Sequence, residues 1–468
     1  MSVIHVDPPT ASGRTLRTTI SSSRGMSRFF STNEFVATYD TDIETVPESQ
    51  LVIPVLSQVA PVAWAAGADV SVRTVDPIFA DALEAVQSSM MEMYDFFDGG
   101  SIRIREPERI QSTNPASQIP PQDGEPVGGS LRMSDDGSKS EDIDTPSSGL
   151  LFTGGVDSTC SYLRHRAESP VLITIRGWTI RPGEADDEKW RHQVERTRQF
   201  ASTHELDTGL IEANMLSFLN HGMLLAHYKR FVDGAWYSSV GHGLGLLGLC
   251  APFAAARGID DIYIAATHWD GIDLEWGSRP DIDDNVRWQG TNCHHDCYDL
   301  TRQERIDLIA EYVETEKREL QLQTCNNRMD HNCGSCEKCY RTAVGLELSG
   351  LDPTVFGYDF RNKDYERIRR SFESGEWVLG LDEQYMWEDL RKRTDDCEPD
   401  SPAEEAFFDW LQTTDLSSHV NHSVPPRHES LIRAIARHTP TSLFNVLYPA
   451  WSHAKAGYDR FARNRTAE

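Results

Sequence analysis

An apolar segment that runs directly into two glycines and then into a helical pattern is the feature that most constrains this chain. Residues 150–159 read Leu-Leu-Phe-Thr-Gly-Gly-Val-Asp-Ser-Thr, which predicts a strand followed by a helix from about Ser158. Gly154 and Gly155 lack a Cβ atom and therefore let backbone N–H groups approach an anion closely. The helix N-terminus adds unpaired donors and a partial positive charge. This order of elements predicts a phosphate-binding turn.

Three side chains add polar groups to the same turn. Thr153 and Ser158 supply hydroxyl donors, and Asp157 is a candidate to hold Mg²⁺ or to fix the loop. The turn is not a Walker loop, because the lysine of G-x-x-x-x-G-K-[ST] is missing. The alternative interpretation is a plain strand-to-helix turn in which Asp157 or Ser158 serves as the N-cap.

Short apolar runs alternate with helical patterns between Leu150 and Gly350. Strands separated by helices indicate βαβ units and a parallel sheet. The predicted strands are Leu150–Phe152, Val171–Ile175, Gly209–Ile211 and Ile262–Ala266. The predicted helices are Ser158–Arg166, Lys189–Thr203, Gly241–Arg257 and Thr301–Val313.

Four of the nine cysteines lie within fifteen positions and suggest a metal site. Cys325, Cys333, Cys336 and Cys339 form the pattern C-x₇-C-x₂-C-x₂-C. Four thiolates satisfy tetrahedral Zn²⁺ and leave no open coordination position, so such a site would be structural. An iron–sulfur cluster is the alternative occupant. This crowding favours a metal site in a reducing compartment over a disulfide framework.

The turn at residues 153–158 resembles the S-G-G-x-D-S loop of the PP-loop ATP pyrophosphatases, with threonine where the family usually has serine. The cysteine spacing resembles the zinc site of one branch, the 7-cyano-7-deazaguanine synthases, and the match covers about 200 of the 468 residues. The resemblance implies an α/β fold with a parallel sheet of the HUP-like, Rossmann-like type. It also implies that Asp157 and Ser158 are catalytic and that ATP is bound by Thr153, Gly154, Gly155, Val156, Asp157 and Ser158.

The family splits ATP between its α and β phosphates, transfers AMP to a carboxyl or amide oxygen, and lets a nucleophile displace AMP. The resemblance therefore implies an ATP-dependent ligase that forms a C–N bond, with ATP, Mg²⁺ and Zn²⁺ as cofactors. The expected partners are a small carboxylic acid or deazapurine-like substrate, a donor of ammonia or an amine, and a second copy of the chain. The alternatives are a PP-loop sulfurtransferase or nucleobase-modifying enzyme, and a non-catalytic nucleotide-binding assembly subunit.

Two segments are candidates for substrate recognition. His242 lies between glycines at a predicted helix start, where the helix dipole would lower its pKa; close helix packing is the alternative interpretation. The loop after the strand Ile262–Ala266 is expected at a carboxyl strand end, where ligands of parallel sheets bind. This loop reads Trp-Gly-Ser-Arg-Pro-Asp where the deazaguanine enzymes have Pro-Asp-Cys-Arg, which leaves the substrate open, and a solvated loop is the alternative. The candidate residues are His268, Asp270, Ser278, Arg279 and, farther on, Arg302.

Charge excludes some classes of partner. Acidic residues outnumber basic residues by 73 to 45, and the formal net charge is −28. A polyanionic surface disfavours sequence-independent binding to nucleic acid and fits a protein from a high-salt cytoplasm. The longest apolar stretch, Leu244–Ala256, is too short to cross a bilayer, and the N-terminus lacks the apolar region of a signal peptide. We therefore expect a cytoplasmic protein without a membrane partner.

Composition divides the chain into five segments. We predict a disordered leader over 1–32, a small α/β domain with its own core over 33–110, a flexible acidic linker over 111–148, a PP-loop domain over 149–350 with its zinc site at 325–339, and a helical C-terminal region over 351–468. The small domain is predicted to contain the strands Leu51–Val55, Val70–Val75 and Ser101–Ile104 and the helix Pro77–Phe97.

Overall fold

The structure is a computed structural model that describes most of the chain. The described residues are 2–106, 148–232, 234–318, 320–325, 327–420, 427–440, 443–444 and 446–448. The acidic linker predicted over 111–148 lies outside them, except for Ser148, which begins a strand.

The described residues form one sheet of twelve strands and sixteen α-helices. The strands are β1 (Val3–Val6), β2 (Thr10–Ser12), β3 (Thr15–Ser22), β4 (Glu34–Tyr39), β5 (Asp69–Val72), β6 (Ile102–Ile104), β7 (Ser148–Leu151), β8 (Val171–Arg176), β9 (Thr208–Ala213), β10 (Asp261–Ala265), β11 (Arg287–Trp288) and β12 (Thr291–Asp296).

The helices are distributed along the whole described chain. They are α1 (Glu48–Leu51), α2 (Ile53–Ala65), α3 (Pro77–Met93), α4 (Val156–His165), α5 (Asp187–His204), α6 (Met215–Phe218), α7 (His221–Tyr228), α8 (His242–Leu249), α9 (Ala251–Arg257), α10 (Pro280–Asp283), α11 (Arg302–Glu316), α12 (Glu337–Leu348), α13 (Asn362–Glu373), α14 (Leu381–Thr394), α15 (Pro402–Thr413) and α16 (Arg427–His438). This arrangement confirms the predicted α/β class with a mostly parallel sheet.

Five strands at the centre of the sheet are parallel. Their spatial order is β9, β8, β7, β10 and β12. Numbered along the chain this order is 3-2-1-4-5, so it reverses between β7 and β10. Ligands of open α/β sheets bind beyond the carboxyl ends of the strands at such a switch point. The topology therefore places the glycine turn, which follows β7, at the most favourable binding position.

The five parallel strands, here the central sheet, pack against a different hydrophobic core on each face. On β8, Ile173 packs with the N-terminal elements and Leu172 packs with the C-terminal helices. Successive residues of a strand point to opposite faces, so a single strand contributes to both cores. The central sheet is consequently covered on both sides, as parallel sheets normally are.

The prediction of a disordered leader over 1–32 is wrong. This segment carries β1, β2 and β3, and along β3 every second residue is buried, including Leu16, Thr18 and Ile20. Threonine is β-branched and favoured in strands, so the Ser- and Thr-rich composition of this segment is compatible with an alternating strand as well as with disorder.

The N-terminal region is also not a separate domain with its own core. Strand β4 pairs antiparallel with β9 through Ala37 and Ala213, and this joins the N-terminal strands to the central sheet. The predicted strand Leu51–Val55 is wrong, because Ile53–Ala65 is a helix that is buried at every residue. Periodicity cannot distinguish a short apolar strand from a helix buried all round.

One helical stretch, Tyr237–Arg257, is long and apolar enough to cross a membrane by length and composition alone. Within its most apolar window, 78% of the residues are buried inside the protein. It comprises a π-helical turn, α8 and α9, and it packs between α2 and the sheet. These contacts are those of a core helix.

Candidate functional site

The glycine turn has the conformation that its sequence predicts. Gly154 has a φ of +77°, which a residue with a Cβ atom rarely adopts. Gly155 is extended and precedes α4, which begins at Val156, two residues earlier than predicted. The Ser158 hydroxyl accepts a hydrogen bond from the Thr153 N–H at 3.3 Å, which closes the loop on itself. The N–H groups of the first turn of α4, which lack acceptors within the helix, therefore lie beside the end of β7.

A cleft of about 680 Å³, here the main cleft, opens at this point. Its size falls in the range of small-molecule sites. It is bounded by the carboxyl ends of β7, β8 and β10, by the loop after β8, and by the segment that carries the cysteine cluster. Residues that line it include Thr153, Gly155, Val156, Asp157, Ser158, Trp178, Arg181, Gln193, Arg196, His242, Thr267, Trp276, Arg302, Gln323 and Lys338.

Asp157 is held by two arginines from α11. Arg302 Nη1 donates to both carboxylate oxygens at 2.7 and 2.6 Å, and Arg305 Nη1 donates to Oδ1 at 2.7 Å. Burial alone would raise the pKa of Asp157, but Arg302 and then Arg305 overcome it and lower the pKa to about 2. Both oxygens accept guanidinium hydrogen bonds, so Asp157 fixes the loop to α11, which is the second of its two predicted roles.

Arg305 organises the base of the cleft. Its guanidinium is fully buried and also donates to the carbonyls of Ala266, His268 and Cys297 at 2.6, 2.5 and 3.0 Å. These carbonyls lie beyond the ends of β10 and β12. One side chain therefore ties the glycine turn to the two neighbouring strand ends.

Three cations line the main cleft beside the glycine turn. Arg302 is buried, and none of the described residues supplies a hydrogen-bond partner for its Nε. Arg196 lies over Gly154, with its Nε 3.3 Å from where a Cβ atom on that glycine would be. Burial lowers the pKa of Arg196 to about 10, which leaves it charged at neutral pH. Lys338 is the third cation, and together they make this end of the cleft attractive to phosphate.

One part of the lining of the main cleft is aromatic. Trp178 lies 4.6 Å from the His242 ring and 4.7 Å from Tyr237, and Trp276 lies 6.0 Å from His242, measured between ring centroids. His242 Nδ1 and Trp276 Nε1 are buried and have no hydrogen-bond partner among the described residues. Flat rings with free polar atoms at their edges suit the recognition of a planar heteroaromatic molecule.

His242 lines the main cleft, but the physical cause of its pKa differs from the expected one. Burial lowers the pKa to about 3, with smaller contributions from His295 and His268. The helix α8 continues directly from the π-helical turn Tyr237–Gly241, so it presents no free N-terminus at His242. The imidazole is neutral because it is desolvated.

The other predicted substrate residues, apart from Arg302, lie outside the main cleft. Asp270 is exposed, and Arg279 donates to the surface carboxylates of Asp273 and Asp281. Ser278 donates to the buried Asp283 at 2.6 Å, which is a structural contact. His268 is buried behind Trp276, with the two ring centroids 5.0 Å apart.

The four clustered cysteines form a candidate metal centre. The sulfur atoms of Cys325, Cys333, Cys336 and Cys339 all lie within 4.8 Å of one another. Zn–S bonds of about 2.3 Å in a tetrahedron place sulfurs about 3.8 Å apart, and those of Cys333 and Cys339 are separated by 3.9 Å. Gly334, with a φ of +60°, makes the sharp turn between ligands. The cluster could therefore hold a metal such as zinc.

The segment around the four cysteines, residues 323–339 and here called the metal segment, also forms part of the main cleft. The Gln323 N–H donates to the carbonyl of Gly154 at 2.8 Å, and Arg196 donates to the carbonyl of Met329 at 2.9 Å. Lys338 lies between the ligands Cys336 and Cys339 and lines the cleft. A metal that ordered this segment would thereby also order the wall around the glycine turn.

A smaller space of about 340 Å³, here the side cavity, adjoins the main cleft between the metal segment and α14. It shares Asp157, Thr267, Arg302 and Lys338 with the main cleft. Its remaining lining residues are Asn327, Cys336, Glu337, Arg341, Asp382, Glu383 and Met386. The C-terminal region, in which the sequence indicates no chemistry, therefore contributes two carboxylates to the site.

Sequence reasoning missed several lining residues. Trp178 and Arg196 belong to the loop after β8 and to α5, which carry no motif. Lys338 could have been predicted to lie near the site, because it is a cation between two candidate metal ligands in the sequence. No signal marks Asp382 or Glu383, since only the packing of α14 against α11 and α12 brings them there.

Comparison with known proteins adds no family assignment: no family model, no curated protein and no solved structure matches this chain.

Proposed function

We propose that this protein is an ATP-dependent ligase of the PP-loop ATP pyrophosphatase type, which adenylates a carboxyl or amide oxygen with release of pyrophosphate and then forms a C–N bond. One observation carries the proposal. The turn Thr153–Ser158, which resembles the loop of that family, lies at the switch point of a 3-2-1-4-5 parallel sheet and opens into the main cleft. A phosphate-binding turn at that position is typical of nucleotide-binding α/β proteins.

The charge distribution supports a pyrophosphate site at this end of the cleft. Backbone N–H groups of the turn, the free Nε of Arg302, and the cations Arg196 and Lys338 surround one region. Adenylation breaks the bond between the α and β phosphates, and negative charge develops on the departing pyrophosphate. Preorganised cations and N–H dipoles stabilise such charge in a water-poor cleft.

The aromatic wall supports a planar acceptor with a carboxyl group. Trp178, His242 and Trp276 present ring faces and two free polar edges. A deazapurine-like acid would pack its rings there and direct its carboxyl toward the α phosphate. His242 remains neutral above a pH of about 3, so it contributes hydrogen bonding and no charge.

The metal centre and the charge complete the proposal. Zinc held by the four cysteines would cross-link residues 325–339 and has no open position for catalysis. The clustered sulfurs would then be metal ligands, which argues against a sulfur-carrier role. The net charge of −28 supports the proposal that the protein functions in a high-salt cytoplasm.

The test is acid-dependent exchange of labelled pyrophosphate into ATP, with product analysis that separates AMP and pyrophosphate from ADP and phosphate. The probe is a 7-deazapurine carboxylic acid within a panel of heteroaromatic acids, in high salt with Mg²⁺. We expect exchange that requires the acid. Production of ADP would overturn the assignment, and tight ATP binding without turnover for any acid would favour the assembly subunit.

A pair of serine variants tests whether the glycine turn is needed for pyrophosphate exchange. Ser158→Ala removes the hydroxyl that closes the turn, and we expect exchange to fall about 10²–10³-fold, as for loss of an electrostatic contact in a transition state. Ser169→Ala changes an exposed serine just beyond α4 and is the matched control. Equal rates of pyrophosphate exchange in both variants would show that the turn has only a structural role.

A further inference from the structure

The loop that carries Trp276 is joined by its backbone to the start of α8, which carries His242. The Gly243 N–H donates to the carbonyl of Gly277 at 2.7 Å, and the Gly277 N–H donates to the carbonyl of Ser238 at 2.9 Å. Each of the two bonded glycines directly follows one of the rings that line the main cleft. The two rings therefore come from separate segments that hydrogen bonds hold side by side.

A buried carboxylate contacts both of these segments. Asp283 of α10 is fully buried. Its Oδ2 accepts the Ser278 hydroxyl at 2.6 Å and lies 2.8 Å from Nδ1 of His295. Its Oδ1 lies 1.7 Å from where a Cβ atom on Gly243 would be, so this oxygen contacts the backbone of α8. Asp283 thereby connects the Trp276 loop, α8 and strand β12.

This polar network is costly to bury. Among the described residues, no arginine or lysine lies within ion-pair distance of Asp283, and His295 is its partner. Burial raises the pKa of Asp283, and hydrogen bonds from His295 and Ser278 oppose this effect in part. Apolar residues of similar volume often stabilise a fold more than a buried ion pair does, whereas a satisfied polar network makes a core rigid and specific. The network is therefore better suited to fixing geometry than to adding stability.

We propose that Asp283 and His295 are positioning residues, which fix Trp276 against α8 in the arrangement that binds the acceptor acid. This inference rests on the proposed function. Neither positioning residue lines the main cleft, so both act through the residues next to the rings. Binding side chains keep a productive geometry only when their neighbours are locked, and a misplacement of about 1 Å costs as much as roughly 100-fold in rate. Loss of the network should weaken binding of the acid and spare the phosphate end of the cleft.

The first experiment compares the two substrates of pyrophosphate exchange. Asp283→Asn keeps the shape of the side chain and removes its charge and one acceptor. We expect KM for the heteroaromatic acid to rise about 10- to 100-fold while KM for ATP and kcat stay within about twofold of wild type, because only the acid contacts the aromatic wall. The matched control is Asp281→Asn on the same helix, whose exposed carboxylate accepts from Arg279.

Two milder changes keep the test valid if Asp283→Asn is unstable. Ser278→Ala removes a single hydroxyl from the network and should show the same division between the acid and ATP to a smaller degree. His295→Asn places an amide donor near the position of Nδ1, whereas His295→Leu leaves the Asp283 carboxylate without that donor. We therefore expect His295→Asn to retain more affinity for the acid than His295→Leu.

A spectroscopic measurement does not depend on turnover. In protein labelled with fluorotryptophan, the fluorine resonance of Trp276 is identified by its absence from Trp276→Phe. We expect this resonance to move or broaden in Asp283→Asn and to stay unchanged in Asp281→Asn.

The outcomes separate the inference from the proposed function. A lower melting temperature of Asp283→Asn with an unchanged Trp276 resonance and an unchanged KM for the acid would show that the network only stabilises the fold, and it would overturn the inference. An equal rise of KM for ATP and for the acid would also overturn it. Absence of pyrophosphate exchange in the wild type would overturn the proposed function, while a displaced Trp276 resonance would still support the positioning role.

Discussion

At the scale of single residues, Asp157 links the phosphate turn to the rest of the fold. Its pKa is lowered to about 2 because Arg302 and Arg305 outweigh the effect of burial. A carboxyl with a lowered pKa stabilises the folded state above its unfolded pKa of about 3.9, and this contribution is lost as the pH falls through about 2. The shift corresponds to about 2 kcal/mol at neutral pH.

The first prediction concerns this ion pair. Asp157→Asn leaves two buried guanidiniums without a counter-charge, and we expect it to lower the free energy of unfolding by about 3–5 kcal/mol at pH 7. Asp299→Asn, which removes the more exposed partner of Arg164, should cost less than about 1 kcal/mol. Urea unfolding at pH 7 and at pH 3 measures both. The difference between wild type and Asp157→Asn should shrink at the lower pH, and a constant difference would contradict the assignment.

The second prediction concerns the backbone of the turn. Gly154 and Gly258 both have a positive φ, +77° and +66°, so alanine at either should cost about 1–2 kcal/mol of stability. Only at Gly154 would the new Cβ approach Arg196, and space around Gly258 is open. Calorimetric titration with ATP should therefore show weaker binding for Gly154→Ala and unchanged binding for Gly258→Ala. Equal affinity in both variants would exclude the turn from the nucleotide site.

At the scale of elements, the metal segment has two roles. Its cysteines could hold zinc, and its backbone and Lys338 form a wall of the main cleft. Structural zinc contributes on the order of 10 kcal/mol in small domains, because the site exists only when folded. Loss of the metal should therefore disturb the cleft through loss of order.

The third prediction follows from that coupling. We expect about one zinc per chain, and Cys336→Ser should lose the metal and lower the melting temperature, since a neutral hydroxyl ligates zinc poorly. Cys397→Ser is the control, because Cys397 lies outside the cluster and donates a weak bond to the carbonyl of Leu348. Elemental analysis and thermal unfolding provide the measurements. Iron together with visible absorbance would show that the cysteines hold an iron–sulfur cluster and not zinc. A Cys336→Ser protein that is stable but inactive would indicate that the Cys336 thiol is catalytic.

At the scale of the whole molecule, the sheet unites regions that composition separates. Strand β4 covers the edge of β9, and α2 packs on α8 across the shared core. Without residues 2–106, the edge of β9 and the apolar surface of the helical stretch Tyr237–Arg257 would be exposed. An exposed strand edge and a large apolar face both favour aggregation.

The fourth prediction tests whether the N-terminal region and the central sheet fold as one unit. A chain of residues 148–468 should be insoluble or aggregated, and co-expression with a separate chain of residues 1–106 should restore a soluble complex. Size-exclusion chromatography of the two preparations gives the result. A monodisperse, cooperatively unfolding 148–468 fragment would show that the nucleotide-binding part is an independent domain, as the composition alone suggests.

The local features of this protein follow from its amino-acid sequence. The turn at 153–158, the alternation of strands and helices over 150–313 and the cysteine cluster all depend on residues close together in the chain, whose spacing dictates backbone geometry. The features that join distant residues depend on how the elements pack in three dimensions. Asp157 meets Arg302 across 145 positions, the apolar run Ile53–Ala65 forms a helix that is buried at every residue, and α14 brings Asp382 to 3.8 Å from His268. Such pairings depend on which surfaces pack together, and the periodicity of a single segment carries no information about its partner.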